Sequence, residues 1–372
     1  MTKLKLSILG CRGIPAKYGG FENFAERLAL YLTSKGWLVT VYCQPEEDSQ
    51  EIREEYWNGI RIINVPVPIV GAIGSIIFDW KSTLHVAQED GLILVLGYNT
   101  ALFSFWCRLK GKTNLINMDG IEWRRAKWKL PEKAWLYLNE WAGCWLGNHL
   151  IADHPQITTH LRSRVPASKI TMIPYGTEPV KQADVTLLQA YHLLPNQYAL
   201  VVARTEPENH LLEIVSAFSR QKRGFKLVVL GRYLPERFSY HQQVLDTASD
   251  KVQFLGTIYD QSIVQALRFY ARLYIHGHSV GGTNPSLVES LAASCPILAH
   301  DNRFNRWVAG TGAHYFQDES DCAQKLKQLL NNPKELALMK QASWKRYQED
   351  FSGQKDLKAY EDLLTKYAKL RY

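Results

Sequence analysis

Residues 275–296 read Ile275-His-Gly-His-Ser-Val-Gly-Gly-Thr-Asn-Pro-Ser-Leu-Val-Glu-Ser-Leu-Ala-Ala-Ser-Cys-Pro296. An apolar strand ends in a glycine loop, and the loop runs into a helix that begins near Asn284-Pro285-Ser286. Proline suits the first helical turn because it has no N–H to leave unpaired there. The open N–H groups and the positive end of the helix dipole favour an anion such as phosphate. Gly281, Gly282, Thr283, Asn284 and Ser286 are therefore candidate donor-binding residues, and Glu289, one turn further in, can accept hydrogen bonds from ribose or sugar hydroxyls. The other reading is a helix cap over a structural turn.

The same strand-loop-helix rhythm extends in both directions. Leu4–Leu9 and Leu38–Cys43 read as strands around a helix from about Gly20 to Ser34, with Phe21, Phe24, Leu28 and Tyr31 roughly on one face. Further strands are expected at 60–65, 92–96, 113–117, 149–152 and 170–173, and helices at 77–89, 100–110, 132–146 and 155–164. Continuous apolar strands separated by helices imply a parallel sheet covered on both faces. The stretch 174–195 breaks the rhythm and reads as a linker. A second series follows, with strands at 198–203, 226–230, 252–255, 272–276, 296–299 and 313–316, and then a charged helical tail at 354–371. The fold class is α/β, with two Rossmann-like, doubly wound domains at 1–176 and 177–352 and a C-terminal helix at 353–372. In such a tandem the strand carboxyl ends meet at a cleft.

The chain has 372 residues and a formal net charge of +8. A mildly basic balance suits phosphorylated ligands, nucleic acid or an anionic membrane surface without choosing among them. No recognition helix or RNA-binding signature is present, so nucleic acid is not favoured. The six cysteines, at 11, 43, 107, 144, 295 and 322, form no Cys-x-x-Cys pair and read as reduced thiols of a cytoplasmic protein. The apolar stretches 66–78 and 91–107 are broken by Gly, Asn, Pro or Tyr, and neither reads as a membrane span.

Three further segments carry candidate chemistry. The first strand runs into Gly10-Cys-Arg-Gly13-Ile-Pro-Ala-Lys-Tyr-Gly19-Gly20-Phe21-Glu22, where Gly19 and Gly20 can present N–H groups to a diphosphate or simply make a tight turn. At the end of strand 198–203, Arg204 can grip phosphate with its planar fork or pair with Glu206 or Glu208. Asp119, in Asn117-Met-Asp-Gly120, is either a turn residue or a carboxylate for an acceptor hydroxyl. It leads into Trp123-Arg124-Arg125-Ala-Lys127-Trp128, continued by Trp135, Trp141 and Trp145. Interleaved tryptophan and basic residues suit a membrane surface, whereas the plainer reading is a solvated face over core tryptophans. His276-Gly-His278 has no carboxylate at metal-ligand spacing and no Asp-x-Asp is present, so no metal is expected.

Together these segments resemble a GT-B glycosyltransferase of family four, in the bacterial branch that includes rhamnosyltransferases of surface-polysaccharide assembly. The likeness rests on four stretches in order: Gly10 to Phe24, Asn117 to Trp128, Ala203 to Asn209 and Gly277 to Glu289. It implies metal-independent transfer from a nucleotide sugar, with dTDP-rhamnose as donor, a lipid-linked sugar as acceptor at the inner membrane face, and retention of configuration. The C-terminal helix is expected to cross back to the first domain. Two positions depart from the wider family: Gly281 stands where the first glutamate of a Glu-x7-Glu pair falls, and Asn209 where a lysine follows Arg204 by five. The resemblance gives catalytic roles to Arg204, Asn209 and Glu289, and leaves Asp119 to orient the acceptor hydroxyl. Trp123, Arg124, Arg125, Lys127 and Trp128 are the expected acceptor or membrane segment. The alternatives are a non-catalytic nucleotide-sugar or partner-binding relative, a soluble sugar-nucleotide epimerase or phosphorylase of the same architecture, and a UDP- or GDP-sugar transferase.

Overall fold

A computed structural model describes residues 3–16, 19–45, 51–69 and 71–369. Lys17 and Tyr18 of the first glycine loop, and residues 370–372 of the tail, lie outside the described residues. The chain divides into two compact units, the first comprising residues up to Arg124, Trp128–Pro174 and Asp356 onward, the second Arg125–Lys127 and Tyr175–Lys355.

The first unit winds through β1 (Lys5–Leu9), α1 (Gly20–Ser34), β2 (Leu38–Cys43), β3 (Arg53–Trp57), β4 (Ile60–Asn64), α2 (Gly71–Val86), β5 (Leu92–Leu96), α3 (Ser104–Leu109), β6 (Asn114–Asn117), α4 (Leu130–Leu146), β7 (His149–Ala152), α5 (Pro155–Arg162) and β8 (Ile170–Met172). Its sheet has the order β3-β4-β2-β1-β5-β6-β7-β8. All its pairings are parallel except β3 with β4. The central strands are largely apolar because helices cover both faces: Leu6, Ile8, Leu92, Ile93, Leu94, Leu115 and Ile116 are buried. Along α1 the buried positions are Phe24, Ala25, Leu28, Ala29 and Leu32, the i, i+1, i+4, i+5 and i+8 stripe of a helix lying on a sheet.

The second unit contains β9 (Tyr198–Val202), α6 (Leu211–Ser219), β10 (Lys226–Leu230), α7 (Ser239–Asp246), β11 (Val252–Gly256), α8 (Gln261–Phe269), β12 (Leu273–His276), α9 (Pro285–Ala292), β13 (Ile297–His300), α10 (Arg303–Ala309), β14 (His314–Phe316), α11 (Glu319–Leu330) and α12 (Pro333–Asp350). Its sheet order is β11-β10-β9-β12-β13-β14, all parallel. One core layer gathers Leu200, Val228, Tyr274, Leu287, Leu291 and Ile297. The other gathers Val201, Ile214, Phe218, Val229, Ile275 and Leu326.

Two expectations need correction. The stretch 174–195 is not a free linker, because a 3-10 turn over Val185–Tyr191 sits in it and Val180, Leu188 and Leu193 fill the second unit's core. The N–H of Val180 also donates to the carbonyl of Ala292 at 3.0 Å. The second correction is β3, which sequence periodicity does not reveal. The final helix, α13 (Gly353–Lys369), belongs to the first unit from Asp356 on. There the tilted rings of Tyr360 and Phe24 pack with centroids 4.7 Å apart, the amide of Asn117 donates to Tyr360 Oη at 2.8 Å, and Tyr31 Oη donates to Glu361 at 2.8 Å.

Candidate active site

Most of the candidate donor-binding residues lie in the second unit. The strand order reverses between β9 and β12, and in a doubly wound sheet the crevice beyond the strand carboxyl ends at that reversal is where ligands lodge. The two loops leaving these strands carry Arg204 to Asn209 and Gly277 to Asn284. They are stitched together: Ser279 donates to the Glu208 carbonyl through its N–H at 3.0 Å and through its hydroxyl at 2.9 Å. Gly277 permits the approach, since a Cβ there would stand 2.1 Å from the Asn209 carbonyl oxygen.

Arg204 is exposed, and among the described residues it pairs with neither Glu206 nor Glu208, so the ion-pair reading of this residue falls away. Asn209 is buried, and its amide donates to the Arg204 carbonyl at 2.8 Å. That is a correction: the group expected to meet a phosphate turns inward and fixes the backbone that carries the guanidinium. Arg204's charge also reaches His278, whose pKa is pushed down to about 3 by burial first and by Arg204 next. His276, buried and stacked on His278 with ring centroids 4.3 Å apart, is driven well below its ordinary value by burial and by its histidine neighbours. Both rings are therefore neutral near pH 7, so neither adds positive charge to that of Arg204 in the crevice.

The helix start follows the expected pattern. Asn284 caps α9, its side-chain oxygen accepting the Ser286 N–H at 3.1 Å. Gly281 takes φ 130°, a conformation that L side chains rarely adopt. Among the described residues, the N–H groups of Gly281, Gly282 and Asn284 have no backbone acceptor. Thr283 is buried behind them. Ser286 is corrected from donor contact to scaffold: its hydroxyl is 2.7 Å from Tyr274 Oη, donates to the Val202 carbonyl at 3.2 Å and accepts from Arg268 Nη2 at 3.3 Å. A hydroxyl has one donor and two acceptor sites, so none remains for a ligand.

Glu289 is partly exposed, and its Oε2 lies 2.6 Å from Nη2 of the buried Arg268. The pair fixes one carboxylate oxygen and leaves the other to accept. Sequence reasoning misses Arg268; its signal is a basic residue on the apolar stripe of α8, beside Val264 and Leu267.

The remaining candidates lie in the first unit. Gly19 is the N-cap of α1 at φ 104°, and a Cβ on it would meet the Glu22 carboxylate at 1.9 Å. Gly20 opens the helix, so an N-terminus points beyond the carboxyl end of β1. Glu22 and Glu26 brace the loop by accepting the N–H groups of Arg12 at 2.9 Å and Ala16 at 2.5 Å. Asp119 sits at φ 47°, half-buried, with its N–H bonded to Asn117 Oδ1 at 2.9 Å. A second polar group escapes sequence reasoning. Arg12 donates to Gln44 and Ser75, each at 2.6 Å, and Thr100 donates to Asp79 at 2.7 Å. Burial pushes the Asp79 carboxyl up to about 6 against the opposing pull of Thr100 and Arg12.

The expected membrane segment is corrected in part. Trp123 is half-buried and donates its indole N–H to buried Glu140 at 3.0 Å, with Arg124 over its ring at 5.0 Å. Trp128 is also half-buried, and Arg125 and Lys127 group with the second unit. Among the described residues no helix is long and apolar enough to cross a membrane, and no group of three or more His, Cys, Asp or Glu side chains is placed to hold a metal ion.

Residues 192–346 match the family model for glycosyl transferases group 1, and residues 3–178 match a domain of unknown function, DUF1972. The first of these matches spans most of the second unit. No curated protein matches the chain. Among solved structures, the sucrose-phosphate synthase of Thermosynechococcus elongatus aligns with TM-score 0.81 and 16% identity over 98% of this chain and 99% of its own. The HepE protein of Anabaena, solved with UDP, gives 0.75 and 12% over 98% and 100%. The α,α-trehalose 6-phosphate synthase of Burkholderia multivorans gives 0.75 and 12% over 100% and 98%. At these identities the likeness is one of fold, and that fold is GT-B.

Proposed function

We propose that this group 1 glycosyltransferase moves L-rhamnose from dTDP-rhamnose to a lipid-linked sugar at the inner face of the cytoplasmic membrane, with retention of configuration and without a metal ion. The observation that carries the reading is Arg204 exposed and unpaired beside the open N–H groups of Gly281, Gly282 and Asn284 at the sheet's switch point. As the sugar–phosphate bond breaks, the leaving diphosphate gains charge. A fixed guanidinium and preorganised N–H groups stabilise that charge more in the transition state than in the ground state. The free oxygen of Glu289 accepts hydroxyls of the nucleotide sugar, and Asp119 orients the acceptor hydroxyl.

The test is a melting panel with dTDP-, UDP- and GDP-sugars, since a ligand that binds only the native form raises the melting point. A rise with dTDP-sugars alone fixes the donor class; a rise with UDP-sugars alone overturns it. With the productive donor, Arg204→Ala should lower turnover by about two to three orders of magnitude. Turnover should survive EDTA. Donor binding without product on any lipid-linked acceptor would point instead to a non-catalytic relative.

A further inference from the structure

Helix α4 lacks the polar outer face that a surface helix ordinarily presents. From Ala134 to Leu146 its single charged side chain is Glu140, which is buried against Trp123, His160 and Arg164. The outward stripe is Leu130, Ala134, Leu138, Trp141 and Trp145, at helical spacing along 17 residues, about 25 Å. Leu138 is 64% exposed and Trp145 66%. Alongside it, Leu102, Phe105, Trp106 and Leu109 at and on α3 are exposed as well. Between the helices runs an apolar groove of about 560 Å³, lined by Leu102, Phe105, Leu138, Trp141, Ala142, Trp145 and Leu146. A contiguous apolar face of this kind marks an interaction site.

Charge identifies the occupant. Residues 101–113 contain no acidic side chain and three basic ones, Arg108, Lys110 and Lys112. At the C-terminal end of α4, Lys169 donates to the carbonyls of Cys144 and Trp145, close enough to Arg108 to feel its charge. At the other end Lys129 and Lys133 flank a lone Glu132. Both ends of the stripe are net cationic, so two copies facing each other through it would set cation against cation in either orientation. Indoles beside lysine and arginine around an apolar stripe suit the headgroup boundary of a bilayer.

We propose that the α3–α4 face of the first unit, centred on Leu138, Trp141 and Trp145, docks in the plane of an anionic lipid bilayer. This deepens the proposed function on its acceptor side, and it places the membrane contact on α3 and α4 rather than on residues 123–128.

The test is flotation of the full chain with phosphatidylcholine vesicles made with and without phosphatidylglycerol. The wild type should float with the anionic vesicles, and its tryptophan emission should shift to the blue. Leu138→Glu and Trp145→Glu should each weaken partitioning by about tenfold or more, the worth of one buried apolar side chain. Arg108→Glu should weaken binding to anionic vesicles and leave the neutral ones unaffected. Both exposed positions should leave the melting response to nucleotide sugar unchanged, which separates failure of this proposal from failure of the donor assignment. Absence of vesicle binding, or full binding by Leu138→Glu, overturns it. So does a dimer, seen by light scattering, that Leu138→Glu dissociates while vesicle binding is absent: the face would then join two copies.

Discussion

Replacing Arg268 with Met probes the link between fold and donor site. The Arg268 side chain is 4% exposed, with Nη2 2.6 Å from Glu289 and 3.3 Å from the Ser286 hydroxyl. Breaking a buried ion pair from one side costs about 3–5 kcal/mol, because the remaining charge is stranded. Glu289 is 23% exposed and can turn partly toward water. The lower end therefore applies, about 3 kcal/mol, or about 6–12 °C in the melting of a unit of this size. Removing the stranded carboxylate as well should recover part of the loss. Arg268→Met/Glu289→Gln should melt above Arg268→Met alone, a coupling that only groups in contact show. Calorimetric titration with the donor completes the cycle. Glu289→Gln alone should bind donor about tenfold more weakly if the free oxygen serves the ligand, and it should also melt lower, because it strands the buried Arg268. If Arg268→Met melts within a degree of the wild type, or if the double variant is worse than either single one by simple addition, the pair does not hold Glu289 and the reasoning fails.

Two smaller perturbations have signed outcomes. The Asp79 carboxyl rises from 3.8 to about 6 on folding, so the fold prefers its protonated form; the stability it contributes is whole below 3.8 and lost as pH climbs through 6. Asp79→Asn should be neutral near pH 4 and stabilising near pH 8, with a ceiling of about 3 kcal/mol, as read by urea unfolding at both pH values; equal stability differences at the two would refute it. Asn284→Ala removes the cap of α9 and should cost about 1 kcal/mol in the same assay, together with weaker donor binding, whereas an unchanged midpoint would show that the cap is idle.

Much of the fold is legible because strands buried on both faces leave unbroken apolar runs, as in Leu92-Ile-Leu-Val-Leu96 and Leu227-Val-Val-Leu230. The same reasoning passes over β3, whose Arg53-Glu-Glu-Tyr-Trp57 forms an exposed antiparallel edge and has no buried face to impose a period. It also takes 174–195 for a linker, since Val180, Leu188 and Leu193 reach the core from irregular backbone that no periodicity describes. At the site, Arg204 and the start of α9 are legible because each belongs to the loop that leaves a strand. Asn209 and Ser286 are legible as polar residues but not in direction: their groups are taken by the Arg204 carbonyl and by Tyr274 and Val202, partners distant in sequence or fixed only by the turn. Arg268 and Asp79 lie on helices away from any motif, and only the folded contact reveals them.

What joins these observations is rigidity at the place where charge must be met. A guanidinium on a mobile loop stabilises ground and transition states alike after paying to be ordered; one held in advance favours the transition state. The Arg204 loop is held in advance on three sides. Asn209 bonds its carbonyl, Thr205 anchors to the Arg232 carbonyl at 2.9 Å, and Ser279 ties the loop after β12 to Glu208. The absence of a side chain at Gly277 is what lets the two loops close to that distance. In the proposed function the inward-turned Asn209 acts only through the backbone it fixes, a role that needs no charge.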